Sequence, residues 1–231
     1  MNNALIIFTR VPIPGQTKTR LMPFLTGEEC AQLHTCFIRD IYAKAKQADT
    51  DVFVFYTPEE EKTKLRYVLN EDTVFFSQRG EDLGMRMKLA IDSVLQMGYE
   101  KVILIGTDIP QVRTETFEKA FSDLDEHDIV IHPTYDGGYY LIGMKMEQDT
   151  IWKVRAYGTN TVIQETLRHM QEENLSVAVG EKYYDIDDKY DLKQLYSDIK
   201  AGTVQNCSCT KAYLESVLKE KMERLHEETS R

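Results

Sequence analysis

The sequence predicts an α/β fold with a mixed, mostly parallel central sheet flanked by helices. The first observation is that short apolar runs typical of buried strands alternate with amphipathic helical patterns along most of the chain. The second is one break in this alternation at residues 136–138, where two strand-like segments are joined by a turn alone. Because a turn cannot make a parallel crossover, we expect an antiparallel or splayed pair there.

The first half of the chain contains four strand-like runs, each followed by a helical pattern. Thr26 and Glu29 have the spacing of a capping box at the start of the first helix. Thr57, Pro58 and Glu60 predict an N-cap, a first-turn proline and a box partner for the second. The strands are predicted at residues 4–8, 51–56, 74–76 and 101–105, and the helices begin near residues 26, 57, 83 and 114.

The second half is less regular. Strands are predicted at residues 128–132, 139–144, 175–179 and 182–184, and helices at 161–172, 190–200 and 211–228. The last helix is charged and has few apolar positions, so we expect it to pack on the domain or on a second subunit of a homodimer. We therefore divide the chain into a main domain, residues 1–202, and a C-terminal helical appendage, residues 203–231.

The bulk composition excludes several classes of protein. The chain has 231 residues and a formal net charge of −10, which argues against nucleic acid as the main partner. No apolar run approaches the roughly 20 residues of a membrane span, and the N-terminus lacks a secretory pattern. Four cysteines in a chain of this length do not indicate a disulfide scaffold. We expect a reduced, cytoplasmic protein.

The loop after the first strand is the most informative segment. It reads PIPGQTKTRL over residues 12–21 and follows the strand directly. Open α/β sheets bind their ligands at the carboxyl ends of strands. Gly15 permits close approach of the backbone, while Lys18 and Arg20 bring positive charge to an acidic chain. The loop predicts an anionic ligand, a nucleotide diphosphate above all.

Two acidic segments are candidates for holding a divalent cation. Asp108 follows the fourth strand, and Asp187 lies in a run of aspartates after a later strand. Mg²⁺ or Mn²⁺ needs only one or two carboxylates when phosphates and waters complete its shell. The structural alternatives are a turn aspartate before Pro110 and a helix cap at residues 187–188.

Two glycine-containing segments are further candidates. Asp136, Gly137, Gly138 and Tyr139 combine a carboxylate with a flexible backbone and an aromatic ring, although the same residues are typical of a tight hairpin. Residues 80–84 offer a ribose or base contact, or an ordinary capped helix start. Walker, dinucleotide-binding and nucleophile-elbow motifs are absent from the sequence.

Together these motifs resemble a bacterial glycosyltransferase group of the nucleotide-diphospho-sugar transferase superfamily. The group includes a domain of unknown function and proteins named as arsenosugar-biosynthesis or radical-SAM-associated transferases. The match runs from about residue 4 to 200 and rests on PxPGxxKTRLxP at 12–23, DLG at 82–84, GTDxP at 106–110, DGGYYLIG at 136–143 and DxD at 185–187. The chain departs from the group at His132 and at Tyr157-Gly158-Thr159, and it has a single Asp108 in place of an Asp-x-Asp triplet.

The resemblance implies a glycosyltransferase-A-like fold and metal-assisted transfer of a glycosyl group from a nucleotide-diphosphate sugar to an unknown small acceptor. Asp108 and Asp136 would be catalytic, and Asp108 with Asp187 would hold the metal. Gly137, Gly138 and Tyr139 would contact substrate. The nucleotide would lie against Arg10, Pro14, Gly15, Lys18, Arg20, Asp82 and Gly84.

The chain also resembles phospholactate and molybdenum-cofactor guanylyltransferases, which share that fold and transfer a nucleotidyl group. A nucleotidyltransferase acting on a phosphate-bearing small molecule is therefore the alternative enzyme. A nucleotide-binding protein without catalysis is the alternative from another class.

Overall fold

A seven-stranded sheet forms the centre of the computed structural model, which describes residues 2–69 and 72–228. Parts of the two predicted domain ranges lie outside the described residues, namely residues 1, 70–71 and 229–231. The strands are β1 (Asn3–Arg10), β2 (Asp51–Thr57), β3 (Val74–Ser77), β4 (Lys101–Gly106), β5 (Ile129–Pro133), β6 (Tyr139–Met144) and β7 (Val177–Val179).

The sheet is mixed and mostly parallel, as predicted. Its order is β3-β2-β1-β4-β6-β5-β7. β1 pairs in parallel with both β2 and β4, whereas β6 runs antiparallel to β4 and β5. The short connection at residues 136–138 thus makes the expected antiparallel pair. The predicted strand at 182–184 is wrong, because Tyr183 forms one isolated bridge with Thr134.

Helices cover both faces of the sheet. They are α1 (Gly27–Ala45), α2 (Lys62–Val68), α3 (Leu83–Gln96), α4 (Thr114–Glu126), α5 (Val162–Glu172), α6 (Lys189–Ala201), α7 (Ser208–Ser216) and α8 (Lys219–Glu228). The capping box of Thr26 and Glu29 is confirmed. The predicted start of α2 at residue 57 is wrong: a short 3₁₀ turn, Glu59–Glu61, without a side-chain cap comes first.

Two apolar clusters sandwich the sheet because alternate strand residues point to opposite faces. Leu5 and Ile7 of β1 pack on the face covered by α1 and α4, while Ala4 and Ile6 pack on the face covered by α3. The central strands are almost wholly buried. Burial on both faces makes these strands rigid supports for the residues at their carboxyl ends.

A third apolar cluster joins the C-terminal helices to the main sheet layers. Leu214, Leu218 and Met222 pack with Leu33 and Phe37 of α1. The single helix predicted at 211–228 is therefore wrong, because the chain forms the pair α7 and α8, whose apolar side chains face α1 and α6. Within the described chain, every helix is too short or too polar to cross a lipid bilayer.

Candidate functional site

A cavity of about 600 Å³ opens over the carboxyl edge of the sheet. Arg10 ends β1, Thr57 ends β2, Gln78 follows β3 and Asp108 follows β4, and all four line it. These strands are parallel, so their carboxyl ends meet at one edge. The fold therefore places the two most informative sequence segments, residues 12–21 and 106–110, beside each other.

Lys18 is the central cation of the cavity. Its backbone adopts a left-handed conformation with φ of 49°, which is uncommon for a residue with a side chain. Its side chain is 6% exposed, and the ammonium group lies 2.6 Å from Asp108 Oδ1 and 3.6 Å from Asp187 Oδ1. It also donates a hydrogen bond of 2.6 Å to the carbonyl oxygen of Ile186. Lys18 thus connects the first loop to both acidic segments.

The two predicted metal ligands differ in their surroundings. Burial raises the pKa of Asp108, but Lys18 and His34 together outweigh it, and the net pKa lies below the ordinary value. Burial raises the pKa of Asp187, and Asp108 adds to that rise against the opposing charges of Lys18 and Arg20. Asp108 is the more firmly ionised of the two.

Arginines add positive charge around the cavity. Arg20 Nη1 lies 2.8 Å from Asp187 Oδ2, and its side chain is 71% exposed, so it can turn towards a ligand. Arg10 and Arg86 also line the cavity, and Arg86 donates a hydrogen bond of 3.0 Å to the Gly80 carbonyl. Together with Lys18, these side chains surround the cavity with the charge that phosphate groups require.

Four carboxylates form what we call the carboxylate end of the cavity: Asp108, Asp136, Asp185 and Asp187. Burial raises the pKa of Asp185 to about 6, and the negative charges of the other three contribute to this rise. Asp136 is held by hydrogen bonds to its Oδ1 atom from the Thr134 hydroxyl, 2.5 Å, and the Gly138 amide, 3.0 Å. Negative charge is therefore concentrated here beyond what the neighbouring cations balance.

A buried histidine organises another wall of the cavity. His34 of α1 is 3% exposed; its Nδ1 lies 2.6 Å from the Thr17 hydroxyl and its Nε2 lies 3.0 Å from the Thr107 hydroxyl. Thr9 lies 3.0 Å from Thr107. Burial lowers the pKa of His34 to about 4, so the ring is neutral near pH 7. We call these four residues the threonine–histidine wall.

Each threonine of this wall directly precedes a charged residue of the cavity. Thr9 precedes Arg10, Thr17 precedes Lys18, and Thr107 precedes Asp108. The hydroxyl network therefore fixes the backbone from which the three charged side chains extend. Such support from behind is what holds a binding site in one geometry.

Aromatic side chains close another side of the cavity. Tyr139 and Tyr157 both line it, and burial raises the pKa of each, to about 12 for Tyr157. A Cβ atom on Gly84 would lie 2.5 Å from the Tyr157 hydroxyl, so the glycine allows this ring to cross α3 closely. Both phenols stay protonated at neutral pH.

The structure brings most of the predicted site residues together. Those that line the cavity are Arg10, Lys18, Arg20, Asp108, Asp136, Gly138, Tyr139 and Asp187. Those that lie outside its lining are Pro14, Gly15, Asp82, Gly84 and Gly137.

The predicted residues outside the lining have structural contacts that explain their types. Asp82 caps α3 by accepting the Met85 amide at 2.8 Å, which is the capping alternative. Gly15 has φ of 76° and approaches Gly27, where a Cβ would lie 2.8 Å from the Gly15 nitrogen. Gly137 packs against the carbonyl of Asn160. The sequence analysis gave no role to Thr9, His34 or Arg86, and it included Thr17, Thr107 and Asp185 only as members of longer motifs.

One property of the carboxylate end favours the binding of a divalent cation, and another disfavours it. Burial raises the pKa of Asp185 and the neighbouring carboxylates add to that rise; their mutual repulsion favours an added cation. The Lys18 ammonium, however, lies between Asp108 and Asp187, where a shared metal would be expected. Among the described residues, no three His, Cys, Asp or Glu side chains are arranged to hold a metal by themselves. Asp108 with phosphate oxygens and waters is the arrangement that fits.

Comparisons with known proteins show what the chain is similar to. The model of a family described as "Uncharacterized protein conserved in bacteria (DUF2064)" matches residues 41–159. A 2-phospho-L-lactate guanylyltransferase of Methanocaldococcus vulcanius is 26% identical over 181 residues, which are 78% of this chain and 74% of that protein.

Solved structures confirm the fold. A protein of Desulfovibrio desulfuricans G20, provisionally assigned as a nucleotide-diphospho-sugar transferase, superposes with a TM-score of 0.90 and 29% identity, covering 97% of this chain and 99% of that one. A CMP:2-keto-3-deoxy-manno-octonic acid synthetase in complex with CTP superposes with a TM-score of 0.56 and 10% identity, covering 87% and 100%. The second likeness shows the fold alone.

These findings change the balance between the two reactions expected from the sequence. The chain has a nucleotidyltransferase-like fold, and curated proteins with similar sequences are named 2-phospho-L-lactate guanylyltransferases. The comparisons thus support the alternative expectation better than glycosyl transfer, which had been placed first.

Proposed function

We propose that this chain, which belongs to the DUF2064 family, is a nucleotidyltransferase that joins a nucleotidyl group to a phosphate-bearing small molecule. The observation that carries the proposal is the convergence of Arg10, Lys18, Arg20 and Arg86 on one cavity at the carboxyl edge of the sheet. A nucleoside triphosphate and a phosphorylated acceptor are both strongly anionic, and these side chains match that charge.

In the proposed reaction a phosphate oxygen of the acceptor attacks the α-phosphorus of the triphosphate. One phosphorus–oxygen bond forms, the bond to the β-phosphate bridging oxygen breaks, and pyrophosphate leaves. Lys18 would stabilise the charge that develops on the leaving group, because a fixed cation in a partly desolvated site acts strongly there. The exposed Arg20 would contribute to binding of the nucleotide. Thr17 and His34 would hold Lys18 in place.

A phosphate acceptor simplifies the chemistry required of Asp136. Phosphate oxygens are already ionised near pH 7, so the attacking group needs no general base. The Asp136 carboxylate, held by Thr134 and Gly138, would orient the acceptor or its hydroxyls. A sugar hydroxyl acceptor would need a general base. Asp136 is less suited to that role, because one of its carboxylate oxygens already accepts two hydrogen bonds.

A divalent cation is part of this proposal. Asp108 would hold Mg²⁺ or Mn²⁺ together with phosphate oxygens and waters, and the ion would neutralise phosphate charge when bound. The carboxylates of Asp187 and Asp185, at the carboxylate end, would attract the ion electrostatically.

The first experiment measures pyrophosphate release with a coupled pyrophosphatase and phosphate assay. GTP with 2-phospho-L-lactate is tried first, and then the other nucleoside triphosphates with phosphorylated acids and sugars, each with Mg²⁺ or Mn²⁺. We expect acceptor-dependent pyrophosphate release by the native chain and by Lys46→Met, an exposed control, and a strong loss in Lys18→Met.

Glycosyl transfer is a second candidate because the Desulfovibrio neighbour, at a TM-score of 0.90, bears a provisional sugar-transferase assignment. Release of a nucleoside diphosphate from a nucleotide sugar, with no pyrophosphate from any triphosphate, would favour it and contradict nucleotidyl transfer. Tight nucleotide binding without turnover of either kind would instead indicate a non-catalytic binding protein.

A further inference from the structure

Two cysteine thiols face each other where α7 packs on α1. Cys36 lies in α1 and is buried, while Cys209 lies in the first turn of α7 and is partly exposed. Their interaction raises the pKa of Cys36 and lowers that of Cys209. Neither lines the cavity, so this pair is separate from the proposed nucleotide site.

The contact between the thiols is fixed by a buried carboxylate. Asp40 is 3% exposed; its Oδ1 accepts the amide of Cys209 at 2.9 Å and its Oδ2 accepts the amide of Thr210 at 2.8 Å. Asp40 thereby caps α7 from a different helix. Because Asp40 is one helical turn beyond Cys36, both lie on the same face of α1. The backbone of Cys209 is thus anchored beside Cys36.

The surroundings of Cys209 favour its thiolate. The hydrogen bond from Cys36 lowers the pKa of Cys209 to about 7; burial and Asp40 oppose this, and Arg39 supports it. Cys36 is the opposite case, since its bond with Cys209 and its burial raise its pKa. One thiol is therefore suited to react first and the other to follow.

We propose that Cys209 and Cys36 are a peroxide-sensitive pair that forms a reversible disulfide between α7 and α1. The Cys209 sulfur attacks hydrogen peroxide: a sulfur–oxygen bond forms, the oxygen–oxygen bond breaks, and the product is a sulfenic acid and water. The Cys36 sulfur then attacks the sulfenic sulfur, a disulfide forms, and the hydroxyl leaves with the Cys36 proton as a second water. Two thiols lose two electrons, and one peroxide gains them.

The disulfide would tie the C-terminal helices covalently to the main sheet layers. The segment before Cys209 already reaches the loop that follows Asp108, because Asn206 Nδ2 donates hydrogen bonds to the carbonyls of Gln111, 3.1 Å, and Val112, 2.5 Å. A cross-link at residue 209 would restrict the unfolded chain over a long loop. We therefore expect the oxidised protein to unfold at a higher temperature than the reduced protein.

The experiment treats the native full-length chain with increasing hydrogen peroxide, blocks the remaining thiols with iodoacetamide and maps the peptides by mass spectrometry. We expect a Cys36–Cys209 disulfide with Cys30 and Cys207 still alkylated, a raised melting temperature, and return of both properties after dithiothreitol. Cys30→Ala removes another buried cysteine of α1 and serves as the matched control; it should behave as the native chain does.

Single variants separate the two roles. Cys36→Ser should leave a sulfenic acid on Cys209 that dimedone traps, while Cys209→Ser should leave Cys36 reduced at the same peroxide concentration. Oxidation of Cys209 no faster than that of Cys30, or pairing of Cys209 with Cys207 or with a second copy of the chain, would overturn the proposal.

Discussion

The two sides of the cavity differ in how completely their polar groups are paired. In the threonine–histidine wall, His34 contacts the hydroxyls of Thr17 and Thr107 within 3.0 Å, and the ring is neutral. At the carboxylate end, Asp185 has its pKa raised to about 6 by burial and by neighbouring carboxylates. The polar groups of the threonine–histidine wall are paired within the protein, whereas the carboxylate end carries uncompensated negative charge.

This difference separates a supporting region from a binding region. Satisfied buried polar networks fix a single geometry, whereas concentrated like charge costs stability until a counter-charge arrives. Lys18 belongs to both, since its backbone follows the wall and its ammonium group lies among the carboxylates. Substitution of Lys18 should therefore have the largest effect on activity, and substitution of the exposed Arg20 the smallest.

Lys18→Met should reduce kcat/KM for nucleotidyl transfer by about 10³-fold, because it removes a preorganised cation from developing negative charge. It should also shift the pKa of Asp108 upwards, since Lys18 contributes most to lowering it. Steady-state kinetics with the coupled pyrophosphate assay measures the loss. Activity within twofold of the native chain would remove Lys18 from the reaction.

Asp108→Asn should reduce kcat/KM by about 10²-fold while leaving the fold intact, since asparagine retains the shape of the aspartate side chain. If Asp108 holds the proposed cation, the variant should also need more Mg²⁺ for half-maximal rate. A magnesium titration of both proteins tests this. An unchanged magnesium dependence together with a full rate would contradict the metal role.

His34→Leu should destabilise the protein by about 2–3 kcal/mol, because Thr9, Thr17 and Thr107 lose a buried partner. The native His34 resists protonation until about pH 4, whereas unfolded histidine binds a proton near pH 6.5. Stability that depends on His34 is thus present above pH 6.5 and is lost as the pH falls towards 4.

Urea denaturation between pH 4 and 7.5 tests this slope. The leucine variant should lose the His34 component of the acid slope, and His34→Gln, which keeps hydrogen-bonding capacity, should recover part of the stability at pH 7. An identical acid slope in the leucine variant would show that the ring does not stay neutral in the native state.

The difference between the two sides of the cavity also explains which features could be predicted from the sequence. Apolar periodicity and cap spacing depend on neighbouring positions, so seven of the eight predicted strands, the mixed sheet and the cap at Thr26 were predicted correctly. The boundaries at residues 57–61 and 217 were wrong, because a 3₁₀ turn precedes α2 and α7 already ends before Val217. Lys18 and Asp108 stood out because charged loops follow buried strands. His34 did not, since its partners Thr9 and Thr107 lie 25 and 73 positions away and the helix pattern already explained its burial.

Asp185→Asn should act in the opposite sense to His34 in the same pH range. Native Asp185 binds its proton near pH 6, but the unfolded carboxyl binds it near 3.8. Native stability therefore falls as the pH rises from about 4 through 6, and the asparagine variant escapes this loss. With allowance for solvent screening, we expect the variant to be about 1–2 kcal/mol more stable at pH 7.5 and no more stable at pH 4. Urea denaturation at the two pH values measures the gain, and a variant equally stabilised at both would show that repacking, and not charge, is responsible.

Arg20→Gln should have the smallest effect, because its guanidinium group is mostly exposed and its pair with Asp187 is screened by solvent. We expect KM for the nucleotide to rise about 2- to 5-fold at low salt, with stability changed by less than about 0.5 kcal/mol. The difference from the native chain should shrink at high ionic strength, since screening weakens exposed charges first. KM values at low and high sodium chloride test this, with Arg168→Gln on the exposed surface of α5 as the matched control. A loss of kcat that persists at high salt would instead place Arg20 with Lys18 among the groups that contact the reacting phosphates.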